Sequence, residues 1–199
     1  GNDELKSVVL SDRLKSIGEY AFSGCSKLYN IAIPETVRYI GSSAFSNCKS
    51  LENISIPENI THIYNNTFEN CEKFQHIELP QGLEYIGKEA FKGCTLIKKT
   101  VIPKNVKQID DGAFSLCINL ENVEFEGEPL YIGNSFYDTK YYNSIKEDGY
   151  SCKYIGNHLI ELVDKKRGKV IIKDGTISIA NKAFSQSKIR KIVFSKELK

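Results

Sequence analysis

The sequence lacks the features that would assign it to several classes of protein. Its 27 basic and 25 acidic side chains leave a formal charge of +2, so no strong overall field attracts nucleic acid or an anionic membrane. No apolar run approaches the ~20 residues that span a bilayer, and residues 1–6 do not resemble the start of a signal peptide. We expect no nucleic-acid partner and no membrane insertion of this segment.

Motifs for catalysis and for metal binding are also missing. The six cysteines are never two or four residues apart, so the spacing of a zinc site is absent. The sequence has no glycine-rich phosphate loop and no paired carboxylates that suggest a general acid and base. His62, His76 and His158 lie in unrelated contexts and are expected at the surface. We predict a protein without catalytic residues, cofactor or metal, and therefore not an enzyme.

What the sequence does contain is an internal repeat. One column of phenylalanines and one of cysteines each step by 23 residues, and proline and isoleucine columns share that step. We predict that the two columns form an inward-facing structural ladder, made of Phe22, Phe45, Phe68, Phe91, Phe114, Cys25, Cys48, Cys71, Cys94 and Cys117. Stacked thiols lie too far apart for relaxed disulfides, so these cysteines are expected to be free and buried. Cys152 stands outside the column and is the candidate for exposure.

Each unit predicts one turn of a coil, as residues 28–50 illustrate. Ile31 and Ile33 alternate as in a short strand, and Pro34 ends that strand because proline lacks an amide donor. The spacing around Ala44 and Phe45 suits a turn of 3₁₀- or α-helix. Units this short must stack to bury their apolar side chains. The eight predicted strands are Val8–Leu10, Ile31–Ile33, Ile54–Ile56, Ile77–Leu79, Thr100–Ile102, Val123–Phe125, Val170–Ile172 and Ile192–Phe194.

The predicted fold class is α/β, a right-handed leucine-rich-repeat solenoid of parallel strands interrupted by one hairpin. Residues 1–199 are expected to form a single domain, with regular repeats at 5–133, an insertion at 134–169 and resumed repeats at 170–199. Phe136 comes one residue early, which marks the break in period. Two predicted strands, at 151–155 and 158–163, flank a Gly-Asn turn and should form a hairpin beside the solenoid. Because strands lie close to both ends, the sequence is expected to be a fragment of a longer protein.

The repeated string Ile-Gly-x-x-Ala-Phe-x-x-Cys-x-x-Leu-x-x-Ile-x-Ile-Pro, as in residues 40–57, resembles the BspA-like, or Treponema pallidum type, leucine-rich repeats. The resemblance covers residues 5–133 and 170–194, with Tyr64 and Asp110 replacing glycine and Thr67 replacing alanine. It implies a cell-surface or secreted protein that takes part in adhesion, with a host or partner macromolecule as ligand. Ligands differ between members of this family, so the resemblance does not name one.

On each predicted strand the residues between the buried ones face outward, and stacking joins them into a surface that we call the sheet face. Its polar, mixed-charge character suits a protein or a glycan. The candidate binding residues are Tyr29, Asn30, Glu52, Asn53, Ser55, Gln75, His76, Glu78, Lys98, Lys99, Glu121, Asn122 and Glu124. An ordinary solvated sheet, within a spacer array that has no ligand of its own, is the alternative.

Two other surfaces are rival sites. Tyr39, His62, Tyr85 and Tyr131 precede the isoleucine column and should form an aromatic stripe on another side of the coil. The insertion holds five tyrosines, for which packing against the solenoid competes with a role in binding. A basic run at 164–169 is expected to be a solvated turn, because phosphate binding needs a wider basic surface.

Overall fold

The computed structural model describes residues 1–194, so the last five residues of the predicted segment 170–199 lie outside the described residues. Within 1–194 the elements are short strands and one helix. In chain order they are β1 Ser7–Val8, β2 Ser16–Ile17, β3 Asn30–Ile31, β4 Tyr39–Ile40, β5 His62–Ile63, β6 Tyr85–Ile86, β7 Lys99–Ile102, β8 Gln108–Ile109, β9 Asn122–Phe125, β10 Tyr131–Ile132, α1 Lys140–Ser144, β11 Cys152–Ile155, β12 His158–Leu162, β13 Lys169–Ile172, β14 Ser178–Ile179 and β15 Lys191–Phe194.

One side of the coil carries the strands that open each repeat unit. β1 pairs with β3 in parallel, with Ser7 opposite Asn30, so neighbouring strands are one repeat apart in sequence. β7 pairs with β9, and β13 with β15, in the same parallel sense. Residues along β7 alternate between exposed and buried. This is the parallel stack of short strands that the 23-residue period predicts.

Two of the strands predicted on this side are wrong. Residues 54–56 and 77–79 form no paired strand, although an isolated bridge joins Asn30 to Asn53. Their apolar side chains, such as Ile77 and Leu79, nevertheless remain buried. Hydrogen bonds on the other sides of the coil fix the spacing between these turns, so the stack persists without strand pairing here.

A second side of the coil carries another parallel stack, which is missing from the sequence-based prediction. β2 pairs with β4, while β5, β6, β8 and β10 form a four-stranded sheet. The inward residue of each strand comes from the isoleucine column, and Ile63 lies opposite Ile86. A two-residue strand contributes a single inward side chain, so it leaves no alternation for a sequence pattern to detect.

The third side, which we call the turn side, holds the coils together through backbone hydrogen bonds. The amide of Phe22 donates to the carbonyl of Ala44 in the next coil (2.8 Å), and the amide of Phe45 donates to Thr67 (2.9 Å). The amides that alternate with these donate to a carbonyl three residues earlier in the same coil, as the amide of Ala44 does to the carbonyl of Gly41 (3.2 Å). Every second amide therefore links neighbouring coils along this side.

The helical turn predicted around Ala44 and Phe45 is present as a single 3₁₀-type turn, from the amide of Ser46 to the carbonyl of Ser43 (3.1 Å), but it is not extended into a helix. Ser43 and Asn47 on either side have left-handed φ values of 55° and 60°, so each three-residue turn is isolated and no helix is propagated. The same alternation recurs in later coils, for example at Asn66 and Asn70. A side chain periodicity of three and four residues does not distinguish this chain of turns from a helix.

The phenylalanine column forms a continuous stack of rings through the core. Neighbouring ring centroids lie 5.1 to 5.6 Å apart and the planes are within 15° of parallel. Phe136 continues the stack 5.3 Å from Phe114 despite arriving one residue early. The segment before Phe136 is one residue shorter than in the other coils. Within it, the amide of Ser135 donates to the carbonyl of Gly133 (2.8 Å), which closes a tight turn.

The cysteines of the column are free and buried, which confirms the prediction for their thiols. The structure adds a reason for cysteine at this position, because each of the four thiols after Cys25 donates to the carbonyl of a phenylalanine 26 residues earlier. These bonds run from Cys48 to Phe22 (3.1 Å), Cys71 to Phe45 (3.3 Å), Cys94 to Phe68 (3.2 Å) and Cys117 to Phe91 (3.1 Å). An aliphatic side chain could fill the space but could not make this bond.

The predicted hairpin is confirmed as β11 and β12, which pair in antiparallel fashion. It does not lie beside the solenoid, because β12 also pairs in parallel with β14 of the resumed repeats. The short helix α1 precedes the hairpin and was not predicted; the hydroxyl of Thr139 caps it by accepting from the amide of Tyr142 (2.9 Å). The division of the chain into one domain with an insertion stays a prediction.

The hairpin and the resumed repeats share a second apolar cluster, distinct from the main core. Its buried members include Cys152, Leu159 and Val170. Ile155 and Ile160 of the hairpin belong instead to the main core. The two clusters are therefore joined through the hairpin, which packs against both.

The glycines that follow the isoleucine column, such as Gly87, lie where neighbouring coils can approach closely. A Cβ added at Gly87 would lie 2.8 Å from the amide nitrogen of Asn65 in the preceding coil, whereas one added at Gly18 would meet nothing within 4 Å. Gly87→Ala is expected to lower the free energy of unfolding by about 1–3 kcal/mol through overpacking. Gly18→Ala, the matched control, should be neutral or slightly stabilising. Equal midpoints for both variants in urea denaturation would contradict the coil spacing.

Candidate functional site

The sheet face is an exposed polar surface. All thirteen residues predicted for it are exposed, while the isoleucines and leucines between them are buried. Short side chains such as Asn30, Asn53 and Ser55 occupy its first half, and longer charged ones such as Lys98 and Glu121 occupy the second. The structure therefore brings these residues onto one surface, and whether they bind a ligand stays a prediction.

Two shallow depressions lie on this face and share His76 and Lys99. The first is also lined by Gln75, Leu96, Lys98, Glu121 and Asn122. The second extends to the other end of the strands and includes Glu78, Thr100, Val101, Pro103 and Glu126. His76 and Lys99 thus lie at the border between the two depressions.

The depressions coincide with the place where strand pairing is lost. Residues 76–79 are unpaired with β7 across the second depression, in which buried side chains of both coils take part. Thr100 occupies a position that is isoleucine in the three preceding coils, and its buried Oγ1 has no hydrogen-bond partner in the described structure. A threonine in an otherwise aliphatic column is the sequence signal that points to this position.

The charges on the face are mixed and weakly paired. His76 Nε2 lies 3.2 Å from Glu78 Oε1, and both side chains are exposed, so the pair contributes little to stability. Within residues 1–194, Lys98 and Lys99 have no ion-pair partner. Both ammonium groups are therefore available to a ligand carrying carboxylates.

The aromatic stripe is present, but its rings pack largely against one another. His62 lies 5.7 Å from Tyr64 and 5.7 Å from Tyr85 between ring centroids, so Tyr64 is an additional member. The hydroxyl of Tyr85 donates to Asp110 Oδ2 (2.5 Å). Burial, followed by this bond to a carboxylate, raises the pKa of Tyr85. Ring faces that pack on one another are less open to a ligand than the sheet face is.

Two surface predictions for the insertion are wrong. His158 is 1% exposed, with Nδ1 2.7 Å from Ser178 Oγ, and burial lowers its pKa, an effect to which Lys173 adds and which Glu128 opposes. Cys152 is fully buried, and burial raises its pKa to about 11. Both lie on hairpin strands that pack against the resumed repeats, a contact that the local sequence does not reveal.

The tyrosines of the insertion divide between packing and exposure. Tyr142 is buried and donates to Glu161 Oε2 (2.5 Å), and Tyr141 packs edge-on against Phe136. Tyr154 is half-buried, whereas Tyr137 and Tyr150 are exposed. Most of this aromatic material therefore fastens the insertion to the core, as the packing interpretation predicts.

Residues 1–194 hold no group of three or more histidine, cysteine or acidic side chains arranged to bind a metal ion. Over the same residues, no helix combines the length and apolarity needed to cross a membrane. What the sheet face offers chemically is a set of hydrogen-bonding and charged groups on a rigid support.

Comparison with known proteins agrees with this architecture. The family model for the BspA type leucine rich repeat region matches in six copies, over residues 1–121 and 86–199. No curated protein matches the chain.

Solved structures of bacterial leucine-rich repeat proteins are similar to the chain. The T. pallidum leucine-rich repeat protein is 33% identical, with a TM-score of 0.57 over 59% of this chain and 57% of its own. A leucine-rich repeat protein from Bacteroides ovatus is 28% identical, with a TM-score of 0.58 over 97% of this chain and 64% of its own. A leucine rich cell surface protein from Faecalibacterium prausnitzii is 22% identical, with a TM-score of 0.56 over 91% of this chain and 65% of its own.

The chain therefore spans less than two thirds of the length of each of these relatives. The 23-residue coils, the stacked phenylalanines and the family match over residues 1–121 and 86–199 lead to one conclusion: the chain belongs to the BspA-type leucine-rich repeat family, a family of non-enzymatic repeat proteins.

Proposed function

We propose that this chain is a protein-interaction module that binds its partner through the sheet face. The observation that carries the proposal is the exposed polar face, with two depressions that meet at His76 and Lys99. Leucine-rich repeat proteins as a class act as protein-interaction modules, and the match to that family supports the same role here.

A rigid support makes such a face effective. The ring stack and the inter-coil hydrogen bonds hold the strands in place before a partner arrives. Binding then costs little backbone ordering, so more of the interaction energy appears as affinity. The mixed polar character of the face suits a protein or a glycan, since neither demands a field of one sign.

We extend the proposal to adhesion at the cell surface or in secreted form. The Faecalibacterium prausnitzii structure is that of a cell surface protein, and the family resemblance implies a host or partner macromolecule as ligand. Binding of extracellular proteins is therefore the activity to seek first.

The experiment is a binding screen of the purified chain against matrix proteins, plasma proteins and a glycan array at two salt concentrations. Lys99→Glu and His76→Ala remove the two residues shared by the depressions, and each should weaken binding by roughly tenfold or more if it lies at the centre of the interface. Lys88→Glu, an exposed charge reversal on the turn side, is the matched control and should bind as the wild type does.

Retention of binding by both sheet-face variants would move the site to the aromatic stripe or the insertion and contradict the proposal. Complete absence of binding would favour the other class of function, a spacer array without a ligand of its own.

A further inference from the structure

The backbone hydrogen bonds that join successive coils stop where the hairpin begins. In residues 1–136 each coil bonds to the next, as the amide of Gly133 does to the carbonyl of Ile109 (2.9 Å). Within residues 1–194, no backbone-to-backbone hydrogen bond and no strand pair joins residues 1–136 to residues 150–194. We call the contact between these two parts of the chain the joint.

Side-chain contacts cross the joint instead. Asn157 Nδ2 donates to Glu128 Oε1 (2.7 Å), and Asn181 Nδ2 donates to Asp111 Oδ2 (2.7 Å). The second part also supplies three side chains to the main core: Ile155, Ile160 and Ala180. Because the ladder from coil to coil is interrupted here, the two parts can separate while each keeps its own backbone hydrogen bonds.

His158 is buried in the joint. It lies at the start of β12, opposite Ser178 of β14, and it lines a depression together with Phe125 and Ile132 of the first part. Its Nδ1 lies 2.7 Å from Ser178 Oγ, whereas its buried Nε2 has no hydrogen-bond partner among the described residues. The whole residue is 1% exposed.

The closed joint suits only the neutral form of this imidazole. A neutral ring has one N–H group and one bare nitrogen, so a single partner, the hydroxyl of Ser178, is sufficient. A proton added to the ring makes both nitrogens donors and creates a positive charge. The charge and the second N–H group would both be buried without an acceptor, which is costly. Protonation therefore favours an arrangement in which the ring reaches water.

Charged groups on the neighbouring segments do not offset this cost. Glu128, in the loop before β10, favours the protonated ring, but its Oε1 already accepts from Asn157. Lys173, which follows β13, disfavours the protonated ring, and its Nζ donates to the carbonyl of Gly156. Burial has the largest effect, and the pKa of His158 is lowered. The other titratable side chains on the strands around the ring are Tyr131 on β10, Cys152, Lys153 and Tyr154 on β11, and Glu161 on β12.

We propose that the joint is an acid-sensitive conformational device, in which uptake of a proton by His158 separates residues 150–194 from the coils of residues 1–136. Opening uncovers the apolar surfaces that meet there, including Phe125 and Ile132. The sheet face, from Tyr29 to Glu124, lies entirely in the first part. The inference therefore does not depend on what the sheet face binds.

The direction of the pH dependence follows from proton linkage. Above pH 6.5, the ordinary pKa of histidine, the ring is neutral in the open and the closed form. Below pH 6.5 the open form binds a proton that the closed form does not. The equilibrium constant for opening therefore rises by up to about tenfold for each pH unit, until the pH reaches the lowered pKa of the closed form.

Opening is measured through the reactivity of a thiol placed in the joint. Ala180→Cys puts this thiol at a buried position where the second part contacts the main core. Its rate of alkylation by N-ethylmaleimide, divided by the rate for an unstructured peptide at the same pH, reports the open fraction. That fraction should rise roughly tenfold between pH 7 and pH 5. Cys94, which is fully buried in the first part, should be far less reactive at both pH values.

His158→Gln, made in the same Ala180→Cys background, tests whether the histidine is the cause. Its amide can still bond to Ser178 but cannot take up a proton, so the open fraction should be the same at pH 7 and pH 5. His76→Gln, which removes an exposed histidine of the sheet face, is the matched control and should keep the full response to pH. A response that persists in His158→Gln, or that is absent without this change, would overturn the proposal. Equal reactivity of Cys94 and the introduced thiol would overturn it too, because the chain would then open as one unit.

A nuclear magnetic resonance titration of the unaltered protein gives a second test that needs no substitution in the joint. The Cε1 proton of His158 should titrate with a midpoint below 6.5. Lys173→Met removes the cation that disfavours protonation, so it should raise this midpoint. A midpoint for His158 at or above 6.5 would contradict the device.

Discussion

Phe68→Ala is expected to lower the free energy of unfolding by about 3–5 kcal/mol. The ring of Phe68 is fully buried and lies between Phe45 and Phe91, with centroids 5.6 and 5.4 Å away. Deleting it leaves a cavity that the neighbouring coils cannot close, because their spacing is fixed by hydrogen bonds on two sides. Urea denaturation followed by circular dichroism measures the change.

Phe22→Ala is the matched control for this prediction. Phe22 starts the ring stack, is only partly buried and stacks on the single ring of Phe45. Its removal creates an open notch instead of an enclosed cavity, so the loss of stability should be distinctly smaller. Equal losses for the two variants would contradict the assigned ladder. A reduced denaturant slope would show that the repeats no longer unfold as one unit.

The second large effect is a loss of stability at alkaline pH. Burial raises the pKa of Cys48 and of Cys117 to about 12, and it raises the pKa of Cys71 and Cys94 as well. In the unfolded chain these thiols ionise near pH 9. Above that pH the unfolded state binds fewer protons than the folded state, so the free energy of unfolding falls as the pH rises.

Each thiol that stays protonated in the fold costs about 1.4 kcal/mol per pH unit above its unfolded pKa. Stability should therefore be retained below pH 9 and lost steeply between pH 9 and 12, under reducing conditions. The double variant Cys71→Ala/Cys94→Ala has two fewer such thiols, and its stability should fall less steeply over the same range. Identical slopes for the variant and the wild type would show that the thiols are not the cause.

The ladder could be predicted from sequence because its signal is a column of large side chains. Phe45 and Cys48 recur every 23 residues whatever the backbone does between them, so the register of the core follows from counting. The second stack of strands could not be predicted in the same way. Strands such as β5 have one inward residue, Ile63, and their identity depends on pairing with the next coil.

Features that depend on packing between distant segments also could not be predicted from the sequence pattern. His158 and Cys152 lie in a hairpin whose amphipathic pattern does not say what it covers, and the burial of both comes from docking on the resumed repeats. The alternation of residues 77–79 likewise does not reveal whether the segment pairs with its neighbours, and in the structure it forms no strand.

The location of the proposed interface is tested most directly by site-specific photocrosslinking to a partner retained from the binding screen. A photoreactive residue at Asn53 or Asn122 on the sheet face should crosslink to that partner, while one at Lys88 on the turn side should not. Crosslinks from Lys88 together with silence at Asn53 and Asn122 would contradict the sheet face as the binding surface of this repeat protein.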